Sequence, residues 1–298
     1  MAFTLKITPK GLFGPRKINV ETLLKDCGMQ YGSDNEFHIL EEGKIVQDTA
    51  ILYNPRRMGR GIFINLHENE KGSLTLSYNI PTTASEIDDF INLAQAIVKQ
   101  VKKAELYCVE EERYFTVSGL QDNRENMIEF SLSTLNNFCQ NQNYKSYIFT
   151  LAKWPLVLTD EQAEEFAHCR NLDNFEQLLH EKQCMDVYYA KPKLLQNNNT
   201  GRIGAFYVLT EECESIFPIH GDGFLNLNTQ DLKIDDKMIQ FFIYSENRIM
   251  DGLFDYEKFS EYILKHGAVL YDKEHMLIPP LNKARLEAMA KEIQGGSL

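Results

Sequence analysis

The stretch NPRRMGRGIF, residues 54–63, sets three guanidinium groups, Arg56, Arg57 and Arg60, around Gly59 and Gly61. Guanidinium forks match the oxygens of phosphate and carboxylate in pairs, and glycine lets a backbone come close to an anion. Phosphate-cradling loops of the P-loop and dinucleotide kinds run into a helix N-terminus, whose free N–H groups and dipole complete the site. After Gly61 the residues alternate apolar and polar, as a strand does. Two readings stand side by side. The arginines contact an anion or a partner, or Asn54-Pro55 and Gly59 to Gly61 merely turn the chain and the arginines are solvated.

A second candidate is FPIHGDGF, residues 217–224, where His220 and Asp222 share one side of an extended chain. Imidazole and carboxylate so placed can act as an acid–base pair or share a metal. Two ligands fall short of a typical protein metal site, and the other histidines lack His-x-x-x-His spacing, so no metal is expected. Gly221-Asp222-Gly223 also reads as a hairpin turn. Glu110 to Glu112, the group Glu211, Glu212 and Glu214, and Asp235-Asp236 are paired or tripled carboxylates that read as solvated turns. No G-x-S-x-G is present, and no cofactor motif.

The elements that must carry these residues are legible in periodicity. Ile62, Ile64 and Leu66, then Leu74, Leu76, Tyr78 and Ile80, alternate with polar neighbours across a turn at Gly72, which predicts a hairpin; AILYNP supplies a third strand ending at Asn54 and Pro55. Ile87, Phe90, Ile91, Ala94, Ile97, Val98 and Val101 recur at three and four, on one stripe of a helix. Thr83 with Glu86 fits a capping box, as does Thr159 with Gln162. Trp154 is expected in the core, Lys191 to Arg202 as an irregular loop, and LNKARLEAMAKEIQ as a terminal helix. A helix carrying Phe and followed by a tyrosine-bearing strand occurs three times, from Ile87, Leu172 and Tyr256. Duplication and simple helix-on-sheet packing both account for that.

These elements predict an α+β fold of antiparallel and mixed sheets with packed helices, in two lobes or domains. The polar stretch SGLQDNREN places the boundary between 1–120 and 127–298, unless the chain is one continuous domain.

The chain has 298 residues and a net charge of −12, which disfavours nucleic acid and anionic membrane surfaces as partners. No apolar run approaches the roughly 20 residues of a membrane span. Residues 1–150 carry 16 basic and 19 acidic side chains, the remainder 15 and 24, so the acid is concentrated in the second half. Six scattered cysteines without a C-x-x-C pair, and a start without an apolar signal core, are expected to be free thiols in the cytoplasm.

The segments ILYNP, GRGIFI and NIPTTASEIDDFINLAQAI, in that order, resemble the N-terminal part of a bacterial family of about three hundred residues known as a domain of unknown function. The resemblance implies a soluble bacterial protein of single-family organisation and carries no site residue over.

The function expected is that of a non-catalytic cytoplasmic protein that binds or sequesters another protein, with the acidic half meeting a basic partner. Glu211, Glu212, Glu214, Asp235 and Asp236 are its expected steering charges. The alternative is an enzyme or binding protein for a small phosphorylated or carboxylated ligand, in which Arg56, Arg57, Arg60 and His220 converge. No cofactor is expected in either case.

Overall fold

A computed structural model describes residues 1–10, 18–67, 72–141, 146–221 and 233–295. The chain forms two compact units, Met1–Met185 and Asp186–Leu298.

The first unit is built on β1 (Ala2–Pro9), α1 (Val20–Cys27), β2 (Gln30–Asp34), β3 (Leu40–Glu42), β4 (Thr49–Tyr53), β5 (Ile62–Asn65), β6 (Leu74–Asn79), α2 (Ala84–Val101), β7 (Ala104–Cys108) and β8 (Arg113–Phe115). All eight strands pair antiparallel in one sheet, in the order β3-β2-β4-β5-β6-β1-β7-β8. The predicted hairpin and third strand are β4 to β6, with Ile62, Ile64, Leu74, Leu76 and Tyr78 on the buried face.

The same unit continues with α3 (Val117–Asp122), α4 (Arg124–Gln140), β9 (Ile148–Thr150), β10 (Pro155–Val157), α5 (Asp160–Ala167) and α6 (Asp173–Gln183). The stretch SGLQDNREN is therefore helical, not irregular. Its polar side chains line outer faces, while Leu120 and Met127 enter the core under α2. Trp154 is buried at the β9–β10 turn, where the Leu151 N–H bonds to its carbonyl.

Helix α2 covers the sheet with the predicted stripe: Ile87, Phe90, Ile91, Ala94, Ile97 and Val101 are all buried. Phe90 stands edge-on to Phe3 at 5.7 Å and to Tyr78 at 5.0 Å, locking the helix to the adjacent strands β1 and β6. Each such side chain contributes about 1.5–3 kcal/mol by leaving water.

The second unit comprises β11 (Tyr188–Tyr189), β12 (Lys193–Gln196), β13 (Ile203–Thr210), β14 (Ser215–Pro218), β15 (Asp236–Ile243), β16 (Arg248–Ile249), β17 (Phe254–Asp255), α7 (Tyr256–Lys265), β18 (Val269–Leu270), β19 (His275–Ile278) and α8 (Lys283–Gly295). One sheet runs β11-β14-β19-β18; the other runs β12-β13-β15-β16, with β17 also on β15. Strands β13 and β15 are parallel, as are β11 and β14, so the sheets are mixed.

Residues 191–202, expected as a loop, hold β12 and its turn into β13. The Asn197 side chain accepts the N–H groups of Asn199 and Thr200 and closes that hairpin. Three of the four β12 side chains are exposed, so no alternation marks the strand. The three helix-then-tyrosine segments meet different surroundings: β7 pairs antiparallel with β1, β11 parallel with β14, and β18 antiparallel with β19. The recurrence does not extend to strand pairing.

Replacing Phe90 by alanine is expected to lower unfolding free energy by about 3–5 kcal/mol, the usual cost of an aromatic removed from a packed core. Phe130→Ala, at a side chain 50 % exposed, should change it by less than about 1 kcal/mol. Urea denaturation of both variants checks the pair.

Candidate functional site

The loop between β4 and β5 closes around one of the protein's own carboxyl groups. The Glu86 carboxylate, one turn into α2, accepts the backbone N–H of Gly61 at 2.5 Å and of Arg60 at 3.1 Å, and the hydroxyl of Thr82. Thr83 caps the helix by accepting the Glu86 N–H at 3.1 Å. The returning half of the expected capping box is replaced by this reach into the loop. At α5, in contrast, Thr159 and Gln162 form the reciprocal box.

Glycine is required on both sides of the carboxylate. A Cβ at Gly59 would stand 2.8 Å from Glu86 Oε1, and Gly61 has φ +87° with a Cβ position only 2.4 Å from Ile51. These are the close approach and the positive φ that a side chain excludes.

The three arginines separate. Arg60 is buried: its Nε and Nη2 donate to the carbonyl (3.1 Å) and hydroxyl (3.3 Å) of Thr150, Nη1 donates to the Pro81 carbonyl at 3.0 Å, and the guanidinium lies 5.2 Å from the Phe149 ring centre. Arg57 donates to Asp89 at 2.7 Å, on the next turn of α2 from Glu86. Arg56 is exposed.

The loop is closed by further bonds. Gln183 donates to the Gly59 carbonyl at 2.8 Å, and the Met58 N–H meets His180 Nδ1 at 3.2 Å. Ser131 of α4 exchanges hydrogen bonds with the backbone of Thr82, at 2.7 and 2.6 Å.

Burial pushes the Glu86 carboxyl above the ordinary carboxylate range, against the pull of its hydrogen bonds and of Arg60. Burial also pulls the Arg60 guanidinium down to about 10, so it stays charged at neutral pH. The arrangement can position backbone and carry a fixed charge pair; its donors are already engaged.

His220 lies on the surface of the second unit, 3.6 Å from Glu257; Asp222 falls outside the described residues. Of the expected steering carboxylates, Glu211 is buried and accepts from the N–H and hydroxyl of Ser245 and the N–H of Lys283, which holds its carboxyl below the ordinary range. Asp235 accepts the Ile203 N–H and Asp236 pairs with Arg202 at 2.6 Å. Glu212 is exposed.

Sequence reasoning missed a buried chain in the same unit. Asp272 Oδ1 accepts the N–H groups of Glu274 and His275 and meets His275 Nδ1 at 2.9 Å, and His275 Nε2 meets the Tyr189 hydroxyl at 3.0 Å. With Nδ1–H given to Asp272, Nε2 is left to accept from tyrosine. All three side chains are buried, and the chain ties β11 to β19 across β14. The spacing Asp-x-x-His was its only visible trace.

It also missed a cleft of about 300 Å³ on the first unit, lined by Phe3, Tyr78, Ile80, Met127 and Phe130 with Glu111, Arg113, Asn123 and Asn126 at its mouth. Strands β1 and β6 supply its floor and α4 one wall. Glu111 pairs with Arg113 at 2.5 Å, and Glu110 accepts the Thr4 N–H at 2.7 Å. Glu112, Asp122, Glu125 and Glu129, next to these residues in the chain, are exposed.

Arg60→Gln is expected to cost about 3–5 kcal/mol, because the buried carbonyls of Thr150 and Pro81 lose their donors and Glu86 loses the one positive charge acting on it. Arg56→Gln should stay within about 0.5 kcal/mol. Chemical denaturation decides, and equal effects would place both side chains in the same environment.

For Glu86 the sign follows from its raised pKa: the folded chain binds the proton more tightly than the unfolded one, so the contribution is greatest at low pH and is lost as pH rises through the folded value. The stability gap between wild type and Glu86→Gln should widen as pH falls from 7 toward the carboxylate range. A gap that narrows would mean that hydrogen bonds outweigh burial.

No curated protein and no solved structure matches the chain. The family model described as Domain of unknown function (DUF4299) matches residues 2–289, nearly the whole length and including the segments whose pattern resembled such a family. The chain belongs to that family.

Proposed function

We propose that this is a non-catalytic cytoplasmic protein that binds a basic protein partner, and that the aromatic cleft of the first unit receives it. The observation that carries this reading is Phe130: half exposed on α4, it lines a cleft floored by Phe3 and Tyr78, with the Glu111–Arg113 pair and two asparagines around it. Aromatic anchors in a desolvated pocket, surrounded by polar rim residues, are where binding energy concentrates. A volume near 300 Å³ is at the small end for ligand pockets and suits one or two side chains. Exposed Glu112, Asp122 and Glu129, near the cleft residues in the chain, favour a basic partner by raising encounter rate more than they hold the complex.

The alternative, a small phosphorylated or carboxylated ligand at the arginine loop, has to displace Glu86 from Arg60 and Gly61. Six free cysteines, with burial pushing the Cys139 thiol up to about 12, fit a reducing compartment.

A photo-crosslinker placed at Phe130 tests the reading, followed by reassembly of the crosslinked protein and the purified chain. Affinity should fall moderately between low and high salt, and at least tenfold in Phe130→Ala, while Tyr244→Ala, at an exposed tyrosine of the second unit, leaves it unchanged. A partner indifferent to both salt and Phe130, or a small anion that raises the melting temperature of wild type but not of Arg57→Gln, overturns it.

A further inference from the structure

A tyrosine hydroxyl taken into a protein interior is normally met by a hydrogen-bonding group. Tyr53 donates to Gln30 and Glu42, Tyr207 to the Gly221 carbonyl and Tyr256 to the Pro218 carbonyl, and Tyr189 meets His275. Tyr78 is only 2 % exposed, yet its hydroxyl has no hydrogen-bond partner among the described residues. Nor is that hydroxyl sealed in, because Asn35 Nδ2 is the one fully enclosed side-chain nitrogen or oxygen without a partner among those residues. It therefore opens onto the cleft that Tyr78 lines. Phe3 stacks on the ring at 5.5 Å and Phe90 stands edge-on at 5.0 Å, so the hydroxyl is held in one place on the cleft floor.

Charge decides what this hydroxyl suits. Phe3 lies opposite Tyr78, and Glu110 accepts the N–H of the next residue, Thr4, at 2.7 Å. Glu110 takes only that amide and the Cys108 thiol, and has no cation beside it among the described residues. Glu111 is matched by Arg113 at 2.5 Å, so the charge left over beside the floor is negative. Burial, and then the neighbouring Cys108, Glu86, Glu110 and Glu111, push the phenol well above its ordinary range, which keeps it neutral with lone pairs to offer. Asn126 donates to Asn123 at 3.0 Å at the mouth, which leaves the Asn126 oxygen as a second acceptor.

An anion is disfavoured in such a place, and a purely apolar side chain would leave the hydroxyl dry and unpaired. A cation on an apolar stem meets both demands, since methylenes cover rings while aromatic faces attract the charge. Lysine fits better than arginine: a compact ammonium suits a single hydroxyl acceptor, whereas the guanidinium fork matches paired oxygens.

We propose that the cleft is a lysine socket, in which a lysine of the partner lays its stem along Phe130 and Met127 and its ammonium donates to Tyr78 Oη. This rests on the cleft being the site where a basic partner binds, and the test separates the two claims.

The probe is N-acetyl-lysine methylamide, titrated into the full chain and followed at the Met127 methyl resonance. The norleucine analogue, which keeps the four-carbon stem and lacks the ammonium, is the control. The lysine probe should bind at least tenfold more tightly, the order expected for a hydrogen bond from a charged donor. Tyr78→Phe keeps the ring and should bring the two probes within about twofold of each other by weakening the lysine probe. Glu110→Gln keeps an acceptor for Thr4 and should cost the lysine probe about threefold while leaving norleucine unchanged. Phe130→Ala should weaken both. Equal binding of the two probes, tighter binding of the arginine analogue, or a lysine advantage that survives Tyr78→Phe, each with binding still lost in Phe130→Ala, overturns the lysine socket and leaves the cleft reading standing. Binding of neither probe, or binding indifferent to Phe130→Ala, overturns both.

Discussion

The first unit depends on one buried carboxylate. Glu86 sits where an α-helix begins, so its charge faces the positive end of α2, and its oxygens take the N–H groups of a loop that has no secondary structure to satisfy them. Without that side chain the Arg60 and Gly61 amides are interior donors lacking an acceptor. Arg60 is in turn held by Thr150 and Pro81, and Gly59 by Gln183, so β9, the start of α2 and the end of α6 are all fixed through a loop of eight residues. Two opposite charges stand near the buried acids of α2: Arg60 acts on Glu86 through the interior, and Arg57, partly exposed, pairs with Asp89.

Much of the framework was legible in the sequence because it follows period and capping. The strands at 49–53, 62–65 and 74–79, the helix at 84–101 and the reciprocal cap at Thr159 need only local rules. The turn chemistry of NPRRMGRGIF was legible too, in its proline and glycines. What could not be read was the carboxyl group the turn closes on, since Glu86 lies 25 residues beyond Gly61 and resembles an ordinary cap residue. The separation of Arg56, Arg57 and Arg60 into exposed, paired and buried side chains was hidden for the same reason: tertiary partners decide it. Strand β12 and helices α3 and α4 escaped because their outer faces are polar, which a sequence scan reads as loop.

The second unit repeats the principle with other groups. Glu211 binds the N–H groups of Ser245 and Lys283, joining the end of β13 to the start of α8, and Asp272 with His275 and Tyr189 spans a sheet. Side chains that look available for catalysis or recognition in a linear reading are here the connectors between elements distant in sequence. The cleft of the first unit differs in kind, because Phe130 stands half exposed there over the buried rings of Phe3 and Tyr78.

The place of β1 in the sheet has a consequence for biosynthesis. Residues 2–9 lie between β6 and β7, which end at residues 79 and 108. A ribosome therefore releases β1 well before either neighbour exists, while β4, β5 and β6 can zip together as successive hairpins. Phe3, Leu5 and Ile7 stay uncovered during that interval, and roughly a hundred residues must emerge before the strand is paired on both sides. The nascent chain is most open to ribosome-associated chaperones and to premature self-association in that window, and the closing of β1 and β7 marks its end.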